Sequence, residues 1–241
     1  PFQPYAFPVR AEHREEFRAL MTWGKTTGLK TVGFMHQDTA VGRAHLENVR
    51  LLADELGMQL TTILPFKSDI TDASLDELAK LVLAKHPDMV FNHGSAGPYA
   101  KLMTKARALD VKTNFMAVNA GSTQLVAQLG EAAKGMVFAQ VMPNPLERKH
   151  ADVREYQEAM KLAGLESELS YGSLEGYLTA KTLVMALRAT GRDLSRTAFI
   201  RTLESLRVEV AGMTVQYQPG NHAGSTFVDL AIVGRDGRFV H

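Results

Sequence analysis

Between residues 31 and 141 the chain repeats one unit: a short apolar run, a polar loop, an amphipathic helix, then the next apolar run. The runs lie at 31–36, 59–65, 89–92, 114–118 and 135–141. Parallel neighbours need a crossover connection, and a helix is the usual one, so the alternation predicts an α/β fold with a parallel sheet flanked by helices. In such sheets ligands bind beyond the carboxyl ends of the strands.

The helices between these runs have readable limits. A first helix is expected over 11–27, with Phe17, Leu20 and Met21 inward and Gly28 as its stop. A second, over 42–56, places Leu46, Val49, Ala53 and Leu56 on one face and ends at Gly57. The capping cluster Thr71-Asp72-Ala73-Ser74 opens a third. A fourth is expected over 98–109, with Pro98 in its first turn, and a fifth over 122–129.

At Met142-Pro143-Asn144-Pro145 the character changes. Three helices follow, expected at 150–163, 171–190 and 195–205, with one short strand near 213–217. Their apolar stripes, such as Leu183, Val184 and Leu187, need a partner that this sequence does not contain. A final strand is expected over 226–233, then an Asp236-Gly237 hairpin turn.

Composition narrows the function classes. With 45% hydrophobic and 22% charged residues, 241 residues can bury one large core or two modest ones. Lys plus Arg, 27, nearly balance 26 acids, which argues against nucleic acid and anionic membrane surfaces as partners. No apolar stretch approaches the roughly 18 residues of a membrane span. The chain has no cysteine, which excludes disulfides, thiolate metal sites and a cysteine nucleophile. A chain opening at Pro1 rather than methionine is expected to be a piece of a longer one, and residues 1–9 read as an extended connector.

Just past the strand ends stand Gln37, Asp38, Val41, Ser68, Asp69, His93, Ser95, Ala96, Asn119 and Ser122. They are small, polar and mostly uncharged, and no paired carboxylates suited to acid and base work stand among them. His93-Gly94-Ser95 lacks the glycine that a nucleophile elbow needs two residues before its serine. The same turn could instead present backbone N–H groups to an anion, a ligand carboxylate as well as a phosphate. Asp38 can either cap the following helix or face a ligand. No dinucleotide or phosphate-loop glycine pattern is present, and the eight histidines are scattered without metal-ligand spacing, so no cofactor or metal is expected.

The order of features resembles the periplasmic solute-binding proteins of branched-chain amino acid type, the capture components of ABC importers. The likeness rests on Phe7-Pro8-Val9-Arg10, Thr31-Val32-Gly33-Phe34 followed by Asp38-Thr39-Ala40-Val41-Gly42, and Pro87-Asp88-Met89-Val90-Phe91. It continues through Ala106-Arg107-Ala108-Leu109, Glu131-Ala132-Ala133-Lys134-Gly135-Met136, Glu175-Gly176-Tyr177-Leu178-Thr179-Ala180-Lys181 and Val228-Asp229-Leu230-Ala231-Ile232-Val233.

The resemblance implies a type I periplasmic-binding fold of two lobes joined by three crossings, at 8–10, 141–145 and 223–225. The second lobe would be complete in 10–141 plus 225–241, and 142–224 would be the C-terminal part of a first lobe. A further hundred-odd upstream residues would supply that lobe's sheet. It also implies a periplasmic or extracellular protein that captures a small organic solute, an amino acid or a small organic or aromatic acid, by hinge closure and hands it to a membrane permease, with no chemistry and no membrane insertion of its own. The alternative is a ligand-sensing domain of a receptor or transcriptional regulator with the same fold. The ligand residues expected are Gln37, Asp38, Val41, Ser95, Ala96 and Asn119, with Tyr171 from the other lobe. Family members often carry an aromatic residue where this chain has Val41, and amino-acid binders a carboxylate where it has Asn119. An amide cannot neutralise a buried ammonium, so leucine-like ligands fit poorly.

Overall fold

The structure, a computed structural model, describes residues 3–192 and 194–240. Pro1 and Phe2 of the expected connector, and His241 of the histidine inventory, lie outside the described residues. The chain divides into two compact units, one of Pro1–Glu15 with Val141–Asp229 and one of Glu16–Gln140 with Leu230–His241. It is convenient to call them the helical unit and the sheet unit.

The sheet unit is built on strands β1 (Thr31–Gln37), β2 (Gln59–Phe66), β3 (Met89–His93), β4 (Asn114–Ala117), β5 (Val137–Gln140), β8 (Asp229–Val233) and β9 (Phe239–Val240). They form one sheet in the order β2-β1-β3-β4-β5-β8-β9, in which β1 to β5 pair in parallel and β8 with β9 antiparallel. Helix α1 (His13–Thr26) precedes β1, and α2 (Ala40–Leu56), α3 (Asp72–Lys85), α4 (Ala96–Ala108) and α5 (Ser122–Leu129) lie in the crossovers between successive strands. The central strands read as continuous apolar runs because both their faces are covered. One face carries Met35, Val90, Phe115, Ala117 and Phe138 against Leu75, Val82, Tyr99, Leu102 and Leu125 of the helices. Phe17 of α1 packs on Phe34 and Phe91 of the other face.

The sequence expectations shift in a few places, each for a local reason. Helix α4 begins at Ala96 rather than at residue 98, so Pro98 is its third residue, where the N–H has no helical acceptor either. Strand β5 starts at Val137 because Gly135 turns with φ +78°. Strand β8 starts at Asp229 because the Ser225 hydroxyl accepts the Phe227 N–H, closing a turn where strand was expected. The Asp236-Gly237 hairpin is present, with Gly234 N–H donating to Arg238 O at 2.8 Å.

In the helical unit, α6 (Ala151–Leu162), α7 (Tyr171–Thr190) and α8 (Arg196–Ser205) accompany a hairpin of β6 (Arg207–Val210) and β7 (Met213–Gln216). Helix α7 spans the expected residues and opens with a capping box between Ser170 and Ser173. Strand β6 is an addition to the sequence reading. Its turn places Ala211 at φ +50° and Gly212 at φ +80°, and the alanine hides the usual glycine-rich hairpin signal. Asp152 makes that turn tolerable by accepting the Ala211 N–H at 2.5 Å while pairing with Lys181 at 2.6 Å. Residues 7–9 are bound in place: Tyr217 OH donates to Phe7 O at 3.1 Å, Gly224 N–H to Pro8 O at 3.1 Å, and His222 stacks on Phe7. One face of α7 stays open, with Leu183, Val184 and Leu187 48%, 43% and 39% exposed.

Candidate functional site

Six of the seven expected site residues gather at the carboxyl edge of the sheet, on the loops after β1, β3 and β4. The first loop is a tight one. Thr39 N–H donates to Gln37 O at 2.8 Å, and the Thr39 hydroxyl accepts Gly42 N–H at 3.1 Å. A Cβ on Gly42 would lie 1.8 Å from Gln37 O, so only glycine lets the first turn of α2 return so closely over the end of β1. Thr39 is thus the N-cap, a role that the sequence left open to Asp38. Asp38 instead pairs with Arg43 at 2.6 Å, both partly exposed. Val41 is 60% exposed, an apolar side chain presented outward from the start of α2. A groove of about 460 Å³ lined by Asp38, Phe66, Lys67, Asp69 and Thr71 flanks this loop.

The loop after β3 lies against the first. Gly94, at φ +135°, would set a Cβ 2.8 Å from the Phe66 ring and 3.9 Å from Gln37 Cβ. Ser95 takes the N-cap position of α4 without a side-chain capping bond, and Ala96 lies 3.2 Å from where a Cβ on Gly121 would be. The third loop therefore touches the second. There Asn119 is buried, and its backbone N–H donates to Glu16 Oε2 at 2.6 Å. Asn119 O in turn accepts Ser122 N–H at the start of α5. Gln37, Asp38, Val41, Ser95, Ala96 and Asn119 thus share one rim.

Tyr171 belongs to the helical unit, where it opens α7. It is 2% exposed, and burial with the nearby Asp229 carboxylate raises its phenol pKa far above the ordinary range. The hydroxyl is therefore a neutral donor and acceptor.

Two features of the rim escaped sequence reading. Glu16 is a fully buried carboxylate, and its signal was its place on the inward stripe of α1 with Phe17 and Leu20. The histidines are less scattered than their spacing suggests: His36 stands opposite His93 in the β1–β3 register, and the His45 and His93 rings are 4.0 Å apart. Among the described residues, no group of three or more His, Asp, Glu or Cys is placed to hold a metal ion, and no helix is long and apolar enough to cross a membrane.

Comparison with known proteins bears on this geometry. The family model of periplasmic binding proteins matches residues 1–238. An extracellular ligand-binding receptor from Verminephrobacter eiseniae is 24% identical, with a TM-score of 0.87 over 100% of this chain and 69% of its own. A possible leucine/isoleucine/valine-binding protein from Rhodopirellula baltica is 26% identical, with a TM-score of 0.85 over 99% of this chain and 67% of its own. A branched-chain amino acid ABC transporter protein from Thermus thermophilus, with bound valine, is 21% identical, with a TM-score of 0.84 over 100% of this chain and 66% of its own. The chain thus spans about two thirds of the length of these structures. No curated protein matches it. The fold is the type I periplasmic-binding fold, solute binding is the role that accompanies it, and this chain belongs to the periplasmic binding protein family.

Proposed function

We propose that this protein is the solute-capturing component of an ABC importer, working outside the cytoplasmic membrane and delivering a small organic solute to a membrane permease. Capture is by hinge closure: a solute touching both units favours the closed arrangement by as much as its contacts differ between open and closed. No bond is made or broken. The observation that carries this reading is the convergence of three loops whose side chains are small, polar and mostly uncharged, beside an outward-facing Val41. Such a rim grips by hydrogen bonds and shape and holds no catalytic pair.

In this reading Gln37, Ser95 and Asn119 bond the polar end of the solute, Val41 and Ala96 cover its apolar part, and Asp38 and Tyr171 complete the enclosure. The valine seen in the Thermus protein sets the scale of the ligand, a small organic molecule of about that size. Asn119, with no charge to offer an ammonium, favours solutes that present a neutral or anionic group to this rim. A thermal-shift screen over amino acids, aromatic acids, small dicarboxylates and amides tests the reading, because a specific binder raises Tm by mass action. Calorimetry on Asn119→Ala should then show at least tenfold weaker binding of the solute found, about 1.4 kcal/mol. Unchanged affinity removes Asn119 from the site, and a solute that binds without shrinking the radius of gyration in solution scattering removes hinge closure.

A further inference from the structure

Beneath the rim the sheet holds two amide side chains that its folding does not explain. Asn92, on β3, is 3% exposed, and Gln140, the last residue of β5, is fully buried. The Oδ1 of Asn92 and both amide atoms of Gln140 are shielded from solvent and make no hydrogen bond. They lie on one face. Val90 stands opposite Phe115 and Ala117 opposite Phe138, so alternation puts Asn92 and Gln140, each two residues further on, on the same side as that row. This is the face whose other members, Val90, Phe115, Ala117 and Phe138, are apolar core. Near the carboxyl edge, apolar core gives way to amides, and Gln140 ends the strand next to β4, whose following loop carries Asn119.

A buried polar atom without a partner is costly, and such groups are rare in folded proteins. An apolar side chain would pack there at no such cost, so the amides call for a partner that the protein encloses. Gln140 offers a donor atom, Nε2 with its two N–H groups, and an acceptor, Oε1, side by side. A carboxamide or similar N–H and C=O edge satisfies both in a paired arrangement. A carboxylate could use only Nε2, and an ammonium only Oε1.

We propose that Gln140, with Asn92 on the same face of the sheet two strands away, adds a deeper polar contact to those of the rim, and that the solute is a neutral carbonyl compound of the carboxamide class. This rests on the solute-binding reading above and sharpens its ligand class.

The test uses two matched series on the whole chain, isovaleramide, isovalerate and isopentylamine, and benzamide, benzoate and benzylamine, with calorimetry and thermal shift on the wild type and on Gln140→Met. The amide of a series should bind at least tenfold more tightly than its amine. Gln140→Met should lose at least tenfold of that affinity while the ligand-free protein melts higher, because an unpaired buried amide has been replaced by an apolar side chain of similar size. A lower ligand-free Tm in the variant means that a buried water already pairs the amide, and overturns the proposal. If the variant does not fold, the order of the three wild-type affinities decides. Preference for the amine, equal binding by wild type and variant, or binding of the broader screen's amino acids but none of these six compounds overturns the proposal and leaves solute capture standing. No binding by any compound of either set overturns both.

Discussion

The sheet unit and the helical unit satisfy their apolar surface in different ways. In the sheet unit each central strand is covered on both faces, so Phe34, Phe91 and Phe138 have no exposed area. In the helical unit Tyr156, Leu174 and Leu178 are equally buried on one side of the helices, yet Leu183, Val184 and Leu187 of α7 remain open. A parallel α/β layer covers both faces of its strands with its own helices, whereas three helices with one small hairpin leave a face over.

The contrast can be broken by measurement. Phe138→Ala, which empties a site packed edge-on against Phe239, should cost ~3–5 kcal/mol in denaturant unfolding. Leu187→Ser should stay within about 0.5 kcal/mol, as for an exposed site. A comparable loss at both positions would mean that the α7 face is covered in solution. Gly42→Ala should cost about 3 kcal/mol, because its methyl would meet the Gln37 carbonyl and the first turn of α2 must move. An unchanged denaturation midpoint would show that this loop is not rigid. In the helical unit, Asp152→Ala should cost ~1–3 kcal/mol by leaving the Ala211 N–H without its acceptor.

The smallest effect concerns acid. The backbone N–H groups of Lys30 and Thr31 both donate to the Asp88 carboxylate at 2.8 Å. These bonds, with that from Lys30 the largest cause, hold its pKa below the usual carboxylate value against an opposing effect of burial. A depressed folded pKa stabilises the protein above the unfolded value of about 3.9, and the stabilisation is lost as pH falls through the folded value. Asp88→Asn should therefore lower Tm at pH 7 and flatten its fall in acid. A variant whose acid profile matches wild type would remove Asp88 as a source of that dependence.

Much of the fold was legible because the signals were local. Gly57 in the left-handed conformation ends α2, Thr71 caps α3, and Gly191 ends α7. Six rim residues could be named because the position of a loop after a parallel strand follows from topology alone. What sequence could not give depends on pairing across distance. The Glu16 carboxylate reaches Asn119 over 103 positions. The opposition of His36 and His93 needs the β1–β3 register, and the isolation of the Gln140 amide needs the packing around it. Strand β6 was missed for a different reason, since Ala211 adopts a conformation that residue type disfavours.

The outward side chain of Val41 also gives the protein a practical use. Because the chain contains no cysteine, Val41→Cys would create a single thiol, and one coupling reaction would place an environment-sensitive dye there and nowhere else. If a solute is captured at this rim as proposed, the emission of a dye at that position would change as its surroundings become drier, and the labelled protein would report solute concentration optically.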